Sequence, residues 1–298
     1  MTTMTTTLRP MPHVPDVTHR FVRVGDIRMH VAEAGAGRPV FLLHSFPMHW
    51  YAWRDVIPPL ARDYRVICPD FRGAGWSDAP AAGYDTATRV ADLAGLMDAL
   101  DLDRVSIISH GWGAWAAFFL CLRAPECVEK HLALNMTHPW PNQAAMVLRA
   151  WRLWHTALWE YPVLGPALLR RWPGLTRFLL RRWGATAPDA VTEFADANRP
   201  PAVARAGQAL NWQFVLHDLP RLRRNRAMRL RVPTEILTGE RDPVIPMAFL
   251  RGGERFADDL SMRALPDCRH LIPEQRPDLV VEAARTFLGT DRDTDRSR

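Results

Sequence analysis

The chain has 298 residues, 48% of them hydrophobic, which is enough to bury a full core in one large domain or in a domain that carries an insertion. No run of about eighteen uncharged apolar residues occurs, so we expect no membrane insertion. The net charge of +6 rests almost entirely on arginine, at spacings typical of amphipathic helices and without a recognised nucleic-acid module, so we expect no nucleic-acid partner.

The first half of the chain predicts alternating strands and helices. Short apolar runs indicate strands at 21–24, 27–34, 39–43, 65–69, 105–109 and 128–135. Apolar spacings of three and four indicate helices at 50–62 (interrupted at 58–59), 86–100 and 113–124. This alternation predicts an α/β fold with a mostly parallel sheet covered by helices on both faces. A ligand site is then expected beyond the carboxyl ends of the strands.

The pattern changes from residue 137 to 226, which is rich in Trp, Leu, Arg and Pro and contains no clear strand. Strand patterns return at 232–238 and 260–265, and a last helix is predicted at 277–288. We therefore predict a core formed by 19–136 and 227–289, divided by a helical cap at 137–226. Residues 1–18 and 290–298 are interpreted as a flexible leader and a flexible tail.

The pentapeptide from Ser109 to Gly113 lies between a predicted strand and a predicted helix. Small residues two before and two after the centre of such a turn are typical of a nucleophile elbow, and here the centre is Gly111. On these residues alone, an ordinary glycine-containing turn is the alternative. Three further predicted strands end in loops that carry polar residues, namely 44–47, 239–243 and 268–270. The order of elbow, then Asp242, then His270 is the chain order of α/β-hydrolases.

With these motifs in order, the chain resembles the α/β-hydrolase superfamily, and within it the epoxide hydrolases and their haloalkane-dehalogenase relatives. Their elbow reads His-Asp-Trp-Gly and is matched by residues 110–113, while their Asp-x-Arg-Gly-x-Gly-x-Ser loop is matched by residues 70–77. The resemblance extends from about residue 21 to 288. It implies an α/β-hydrolase fold with a mostly parallel, eight-stranded sheet and a helical lid.

The resemblance also implies roles for particular residues. Asp242 would orient His270, which would act as a general base toward water. The backbone N–H groups of Phe46 and Trp112 would form the oxyanion hole. The residues expected around the substrate come from the loops and the cap: His44, Ser45, His110, His155, Tyr161 and Trp212. Among them, His155 and Trp212 align with the two lid tyrosines of epoxide hydrolases, and Tyr161 is the only tyrosine of the predicted cap.

Besides the two lid positions, the chain departs from the family at three positions. Gly111 replaces the attacking aspartate, so an ester with a substrate carbon cannot form there. Ser45 stands where the family usually has glycine, which adds a hydroxyl beside the position that lost a carboxylate. Phe46 stands where many dehalogenases have a halide-binding asparagine, which argues against dehalogenation.

Three interpretations follow from these departures. The chain can be a catalyst in which Asp242 and His270 activate a water in the space left by the aspartate, with Ser45 as a less favoured substitute nucleophile. It can be a non-catalytic protein that binds a hydrophobic small molecule under a Trp-rich lid. It can also be an epoxide hydrolase in which Gly111 is not the native residue.

The remaining predictions concern cofactors and location. The four cysteines, Cys68, Cys121, Cys127 and Cys268, have no metal-binding or redox spacing, and we interpret them as reduced residues of a cytoplasmic protein. No metal-ligand cluster and no phosphate-binding glycine loop occur, so we expect neither a metal nor another cofactor. The expected partner is a hydrophobic small molecule, and the sequence leaves the oligomeric state open.

Overall fold

The computed structural model describes residues 9–153 and 158–289. Its strands are β1 (Thr18–Val24), β2 (Ile27–Ala34), β3 (Pro39–Leu43), β4 (Arg65–Pro69), β5 (Val105–His110), β6 (Val128–Leu134), β7 (Thr234–Gly239) and β8 (Leu260–Leu265). They form one eight-stranded sheet in the order β1-β2-β4-β3-β5-β6-β7-β8. Strand β2 pairs antiparallel with β1 and β4, and the other neighbours are parallel. The predicted α/β-hydrolase fold is therefore confirmed.

The α-helices of the described residues lie between and after these strands. They are α1 (Ile57–Leu60), α2 (Thr86–Ala99), α3 (Trp112–Arg123), α4 (Gln143–Leu148), α5 (Leu164–Arg171), α6 (Pro173–Trp183), α7 (Pro188–Ala197), α8 (Pro201–Gln213), α9 (Leu219–Arg221), α10 (Ile272–Gln275) and α11 (Pro277–Leu288). Helices α4 to α9 all fall between β6 and β7, in the range where the sequence predicts the cap.

Two hydrophobic cores lie on opposite faces of the sheet. In β3, Phe41 packs in one core with α2 and α3, whereas Val40 and Leu42 pack in the other with α1 and α11. This follows from the two-residue period of a strand, which sends neighbouring side chains to opposite faces. Central parallel strands that are covered on both faces read as continuous apolar runs, which explains why the predicted bounds of β3 and β4 match the structure.

The helix predicted at 50–62 is the clearest disagreement in secondary structure. The structure has a 3₁₀ turn at Trp50–Trp53 and the short helix α1, with no continuous helix between them. Pro58 and Pro59 lack backbone N–H groups, so they fit only in the first turn of a helix that begins at Ile57. The preceding turn is held separately, because the N–H of Trp50 donates to the carboxylate of Asp70 at 2.8 Å.

The inserted helices are anchored to the core around the elbow. A π-helical turn at Phe214–Asp218 follows α8, and the Phe214 ring packs against Trp112 and Trp115 with centroid distances of 5.0 and 5.3 Å. Asn198, after α7, donates from Nδ2 to the carbonyl of Pro47 at 2.6 Å. These contacts fix the insertion above the carboxyl ends of the central strands.

Candidate active site

Gly111 forms the tip of a sharp turn between β5 and α3. Its backbone has φ 49° and ψ −119°, a conformation that strains any L-residue with a side chain. The turn is fixed from the sheet, since the N–H of Gly111 donates to the carbonyl of Leu134 at 3.0 Å. The turn therefore has the shape predicted for the elbow, and glycine relieves its strain.

Ser45 fills the space where a side chain of residue 111 would begin. A β-carbon built on Gly111 would collide with the Ser45 hydroxyl and would lie 2.8 Å from Ser45 Cβ. Ser45 Oγ accepts a hydrogen bond from the N–H of Trp112 at 3.1 Å and donates to the carbonyl of Phe46 at 3.3 Å. One of the two predicted oxyanion donors is thus already bonded within the protein. Next to the elbow, Ser45 therefore occupies part of the space in which a water was expected.

Asp242 and His270 form the predicted pair. His270 Nδ1 donates to Asp242 Oδ2 at 2.9 Å, which leaves Nε2 as the basic nitrogen of the ring. The same carboxylate accepts hydrogen bonds from the N–H groups of Val244 and Ile245 at 2.7 and 3.0 Å, and from Asn135 Nδ2 at 2.8 Å. Burial alone would raise the pKa of Asp242, but His270 and these donors outweigh it and hold the pKa below its ordinary value. The carboxylate is therefore ionised and rigidly placed.

His110 supports the loop that carries His270. Its Nε2 donates to the backbone carbonyl of His270 at 2.9 Å, and the two rings lie 5.2 Å apart. The His110 side chain is buried, and its Nδ1 has no hydrogen-bond partner in the described structure. Burial lowers the pKa of His110 to about 3, so the ring is neutral at physiological pH. This placement favours a positioning role over the substrate contact that the sequence predicts.

His44 holds the loop that carries the predicted oxyanion donors. Its Nε2 accepts from the N–H of Phe71 at 3.0 Å, and its Nδ1 donates to the carbonyl of Ser45 at 3.2 Å. Burial lowers the pKa of His44 to about 4, which keeps this tautomer neutral. The loop is therefore held by an imidazole that stays neutral near physiological pH.

A row of aromatic rings runs from Phe46 through the inserted helical segment to His270. Phe46 packs edge-on against Trp159 at 5.3 Å, Trp159 against Trp183 at 5.5 Å, and Trp183 against His270 at 5.9 Å. Gly207 of α8 allows this closure, because a β-carbon there would collide with the Phe46 ring. Trp183 was not singled out from the sequence, where nothing distinguishes it from the other cap tryptophans.

The cap residues predicted around the substrate have different positions. Tyr161 is 57% exposed, and Trp212 is half-buried. Neither of them lines the cavity described next. The positions of Tyr161 and Trp212 thus give no support to the predicted substrate contacts, and His155 lies outside the described residues.

A small cavity lies on the other side of Phe46, between the oxyanion loop and helices α7 and α8. Its volume is about 30 Å³, and its walls include His44, Phe46, Phe71, Arg89, Trp112 and Asn198. Neither Gly111 nor the Asp242–His270 pair lines it. The cavity therefore lies apart from the Asp242–His270 pair.

Within the described ranges, no three His, Cys, Asp or Glu side chains are grouped to hold a metal ion. All four cysteines are free, and Cys68, Cys121 and Cys268 are buried. Among the helices that the structure describes, none is long and apolar enough to cross a membrane.

This fold agrees with the comparisons with known proteins. A family model described as alpha/beta hydrolase fold matches residues 38–277, so the chain belongs to the alpha/beta hydrolase family. Within that family it resembles epoxide hydrolases. The soluble epoxide hydrolase of Corynebacterium sp. (strain C12) is 29% identical over an alignment of 307 residues, gaps included. The alignment covers 92% of this chain and 98% of that protein.

Two solved structures also match this chain over more than nine tenths of its length. Epoxide hydrolase CorEH without ligand matches with a TM-score of 0.77 and 27% identity, over 91% of this chain and 98% of that one. Wild-type Cfl2 from Burkholderia cenocepacia matches with a TM-score of 0.82 and 29% identity, over 94% and 98% of the two chains.

Proposed function

We propose that this chain is an epoxide hydrolase-like enzyme that hydrolyses a hydrophobic small molecule by direct activation of water. The observation that carries the proposal is the complete Asp242–His270 pair, with 2.9 Å between its bonded atoms, beside an elbow without a nucleophile. Burying an ionised carboxylate has a desolvation cost, and here the hydrogen bonds to Asp242 offset it and hold the charge beside the imidazole. Trp183 packs against the imidazole, and Trp159 and Phe46 continue the row of aromatic rings, which favours an apolar substrate.

In the proposed reaction, His270 Nε2 removes a proton from water as the oxygen attacks the electrophilic carbon. The bond from that carbon to the ring oxygen of an epoxide breaks, and the alkoxide takes the proton back from the imidazolium. Water is thereby added across one C–O bond without an enzyme-bound ester. Asp242 stabilises the imidazolium and fixes its tautomer, as the acid of a catalytic triad does.

A second candidate is a binding protein without hydrolytic activity. It is favoured by the Ser45 hydroxyl, which accepts the N–H of Trp112 at 3.1 Å and would have to be displaced before an oxyanion could bind there. The same observation favours Gly111 as the native residue. Ser45 fills the space that a side chain at position 111 would need, so serine at 45 fits together with glycine at 111.

The test is turnover of a panel of epoxides and esters by the unmodified chain and by His270→Ala and Asp242→Asn. We expect each substitution to lower kcat/KM by about 10²–10⁴-fold, because general-base catalysis contributes rate enhancements of that size. His217→Ala, an exposed cap histidine, is the control and should retain activity. Absence of turnover in the unmodified chain, together with a rise in Tm on adding an aromatic ligand, would favour the binding protein instead.

A further inference from the structure

Arg89 is a buried cation without a carboxylate partner. It lies in the first turns of α2 and is only 3% exposed. Its Nη2 donates to the carbonyl of Trp112 at 3.1 Å, and its guanidinium lies 4.4 Å from the centroid of the Phe71 ring. Among residues 9–153 and 158–289, no carboxylate oxygen lies within ion-pair distance, 4.0 Å, of this guanidinium.

The nearest acidic residues are engaged elsewhere. Asp92 holds Arg72 through two hydrogen bonds, from Nε at 2.6 Å and from Nη2 at 2.7 Å. Asp218 accepts from the hydroxyl of Thr86 at 2.6 Å. Of the two arginines that line the cavity beside Phe46, Arg72 is therefore paired and Arg89 is not.

The unpaired charge is costly in this position. Burial lowers the pKa of Arg89 to about 10, so the group still carries its proton near neutral pH. A buried charge without a partner destabilises a fold, and a packed apolar side chain of similar volume is often at least as stable. The carbonyl of Trp112, the face of Phe71 and the more distant carboxylates of Asp92, Asp218 and Asp85 compensate only in part, since the pKa of Arg89 stays below its ordinary value. The positive charge therefore requires an explanation other than packing.

The cavity supplies that explanation. Its volume of about 30 Å³ suits a group of a few atoms, and its walls combine Arg89 with apolar side chains such as Phe46, Phe71 and Met48. Tyr84 and Asn198, two other polar side chains in the wall, are already bonded within the protein. Tyr84 donates to the carbonyl of Pro80 at 2.7 Å, and Asn198 donates to backbone carbonyls at 2.6 and 2.8 Å.

We propose that this cavity is a binding site for a carboxylate group, with Arg89 as its charged anchor. The planar guanidinium fork matches the two oxygens of a carboxylate. The apolar walls suit the carbon atom that bears the group. The proposal does not rest on the chemistry of Asp242 and His270. The carboxylate can belong to a small free acid or to the end of a longer hydrophobic acid.

Thermal unfolding of the full chain with acetate, at constant sodium chloride, tests the proposal. We expect Tm to rise by about 3 °C when acetate is present at ten times its Kd, because a ligand that binds only the folded state stabilises it. Arg89→Met should bind acetate at least tenfold more weakly, while its Tm without acetate should be no lower than that of the unmodified chain. Arg123→Met, at an exposed position on α3, is the matched control and should respond to acetate like the unmodified chain.

Two further comparisons complete the experiment. Arg89→Lys retains the charge without the planar fork, so it should bind acetate more weakly than the unmodified chain and more tightly than Arg89→Met. Hexanoate binding more than tenfold more tightly than acetate would identify a longer acid as the ligand, whereas equal affinity would identify a small free acid. The proposal is overturned if acetate leaves the Tm of the unmodified chain unchanged, or if added chloride or neutral hexanamide raises it equally.

Discussion

Gly111→Asp alone is expected to destabilise the protein by about 2–5 kcal/mol and to produce no covalent hydrolase. The new β-carbon would collide with the Ser45 hydroxyl and lie 2.8 Å from Ser45 Cβ, so rotation of the serine cannot relieve the contact. The residue would also hold φ near 49°, which adds about 1–3 kcal/mol of backbone strain. Urea unfolding of the variant beside the unmodified chain measures this loss.

The double variant Ser45→Gly with Gly111→Asp should recover part of that stability, because it removes the collision and leaves only the strain of about 1–3 kcal/mol. Its carboxylate would face the intact Asp242–His270 pair, so we expect an ester with epoxide substrates that mass spectrometry of the quenched enzyme detects. Single-turnover reactions in ¹⁸O-labelled water separate the two routes. Direct attack by water labels the first product molecule, whereas the ester route transfers an unlabelled carboxylate oxygen.

The coupling between positions 45 and 111 is contradicted if Gly111→Asp alone is as stable as the unmodified chain. Ser45→Gly alone is the matched control for the loss of the serine. It removes the hydroxyl that bonds the N–H of Trp112, and should cost about 1 kcal/mol.

The fold was predictable because its strongest sequence patterns come from elements that are buried on both faces. Strands β3 and β4 appear as apolar runs between polar loops, and the predicted bounds are those of the structure. The pairing of Asp242 with His270 was implied by the resemblance to epoxide hydrolases, and both residues follow strands whose carboxyl ends meet at one edge of the sheet.

The relation between Ser45 and Gly111 could not be predicted from spacing. Each residue stands out as a departure from the family, but their fit depends on how closely two loops approach in space. Arg89 is a similar case, since its sequence context is that of an ordinary arginine near the start of a helix. Only the structure shows that the neighbouring carboxylates are bonded to other groups.

The protein is expected to unfold when the pH falls from about 6.5 toward 4.5, because several histidines are buried in the neutral form. Burial lowers the pKa of His44 to about 4, and those of His110 and His131 to about 3. An unfolded histidine titrates near pH 6.5, so below that pH the unfolded chain binds more protons than the folded one. Stability therefore decreases as the pH falls, by about 1.4 kcal/mol per pH unit for each of the three residues.

Over two pH units these three histidines remove about 8 kcal/mol, which is comparable to the whole stability of a typical domain. Asp242, whose pKa is lowered in the folded protein, acts in the same direction, but only as the pH falls below about 3.8, so the histidines act first.

Urea midpoints at pH 7.5, 6.5 and 5.5 give the dependence of stability on pH directly. His131→Leu should reduce that slope by about 1.4 kcal/mol per pH unit. Ser109→Ala removes the 2.7 Å hydrogen bond to His131 but leaves the imidazole, so it should lower stability without changing the slope. A nearly flat profile between pH 6.5 and 5 would mean that these rings take up protons inside the folded protein.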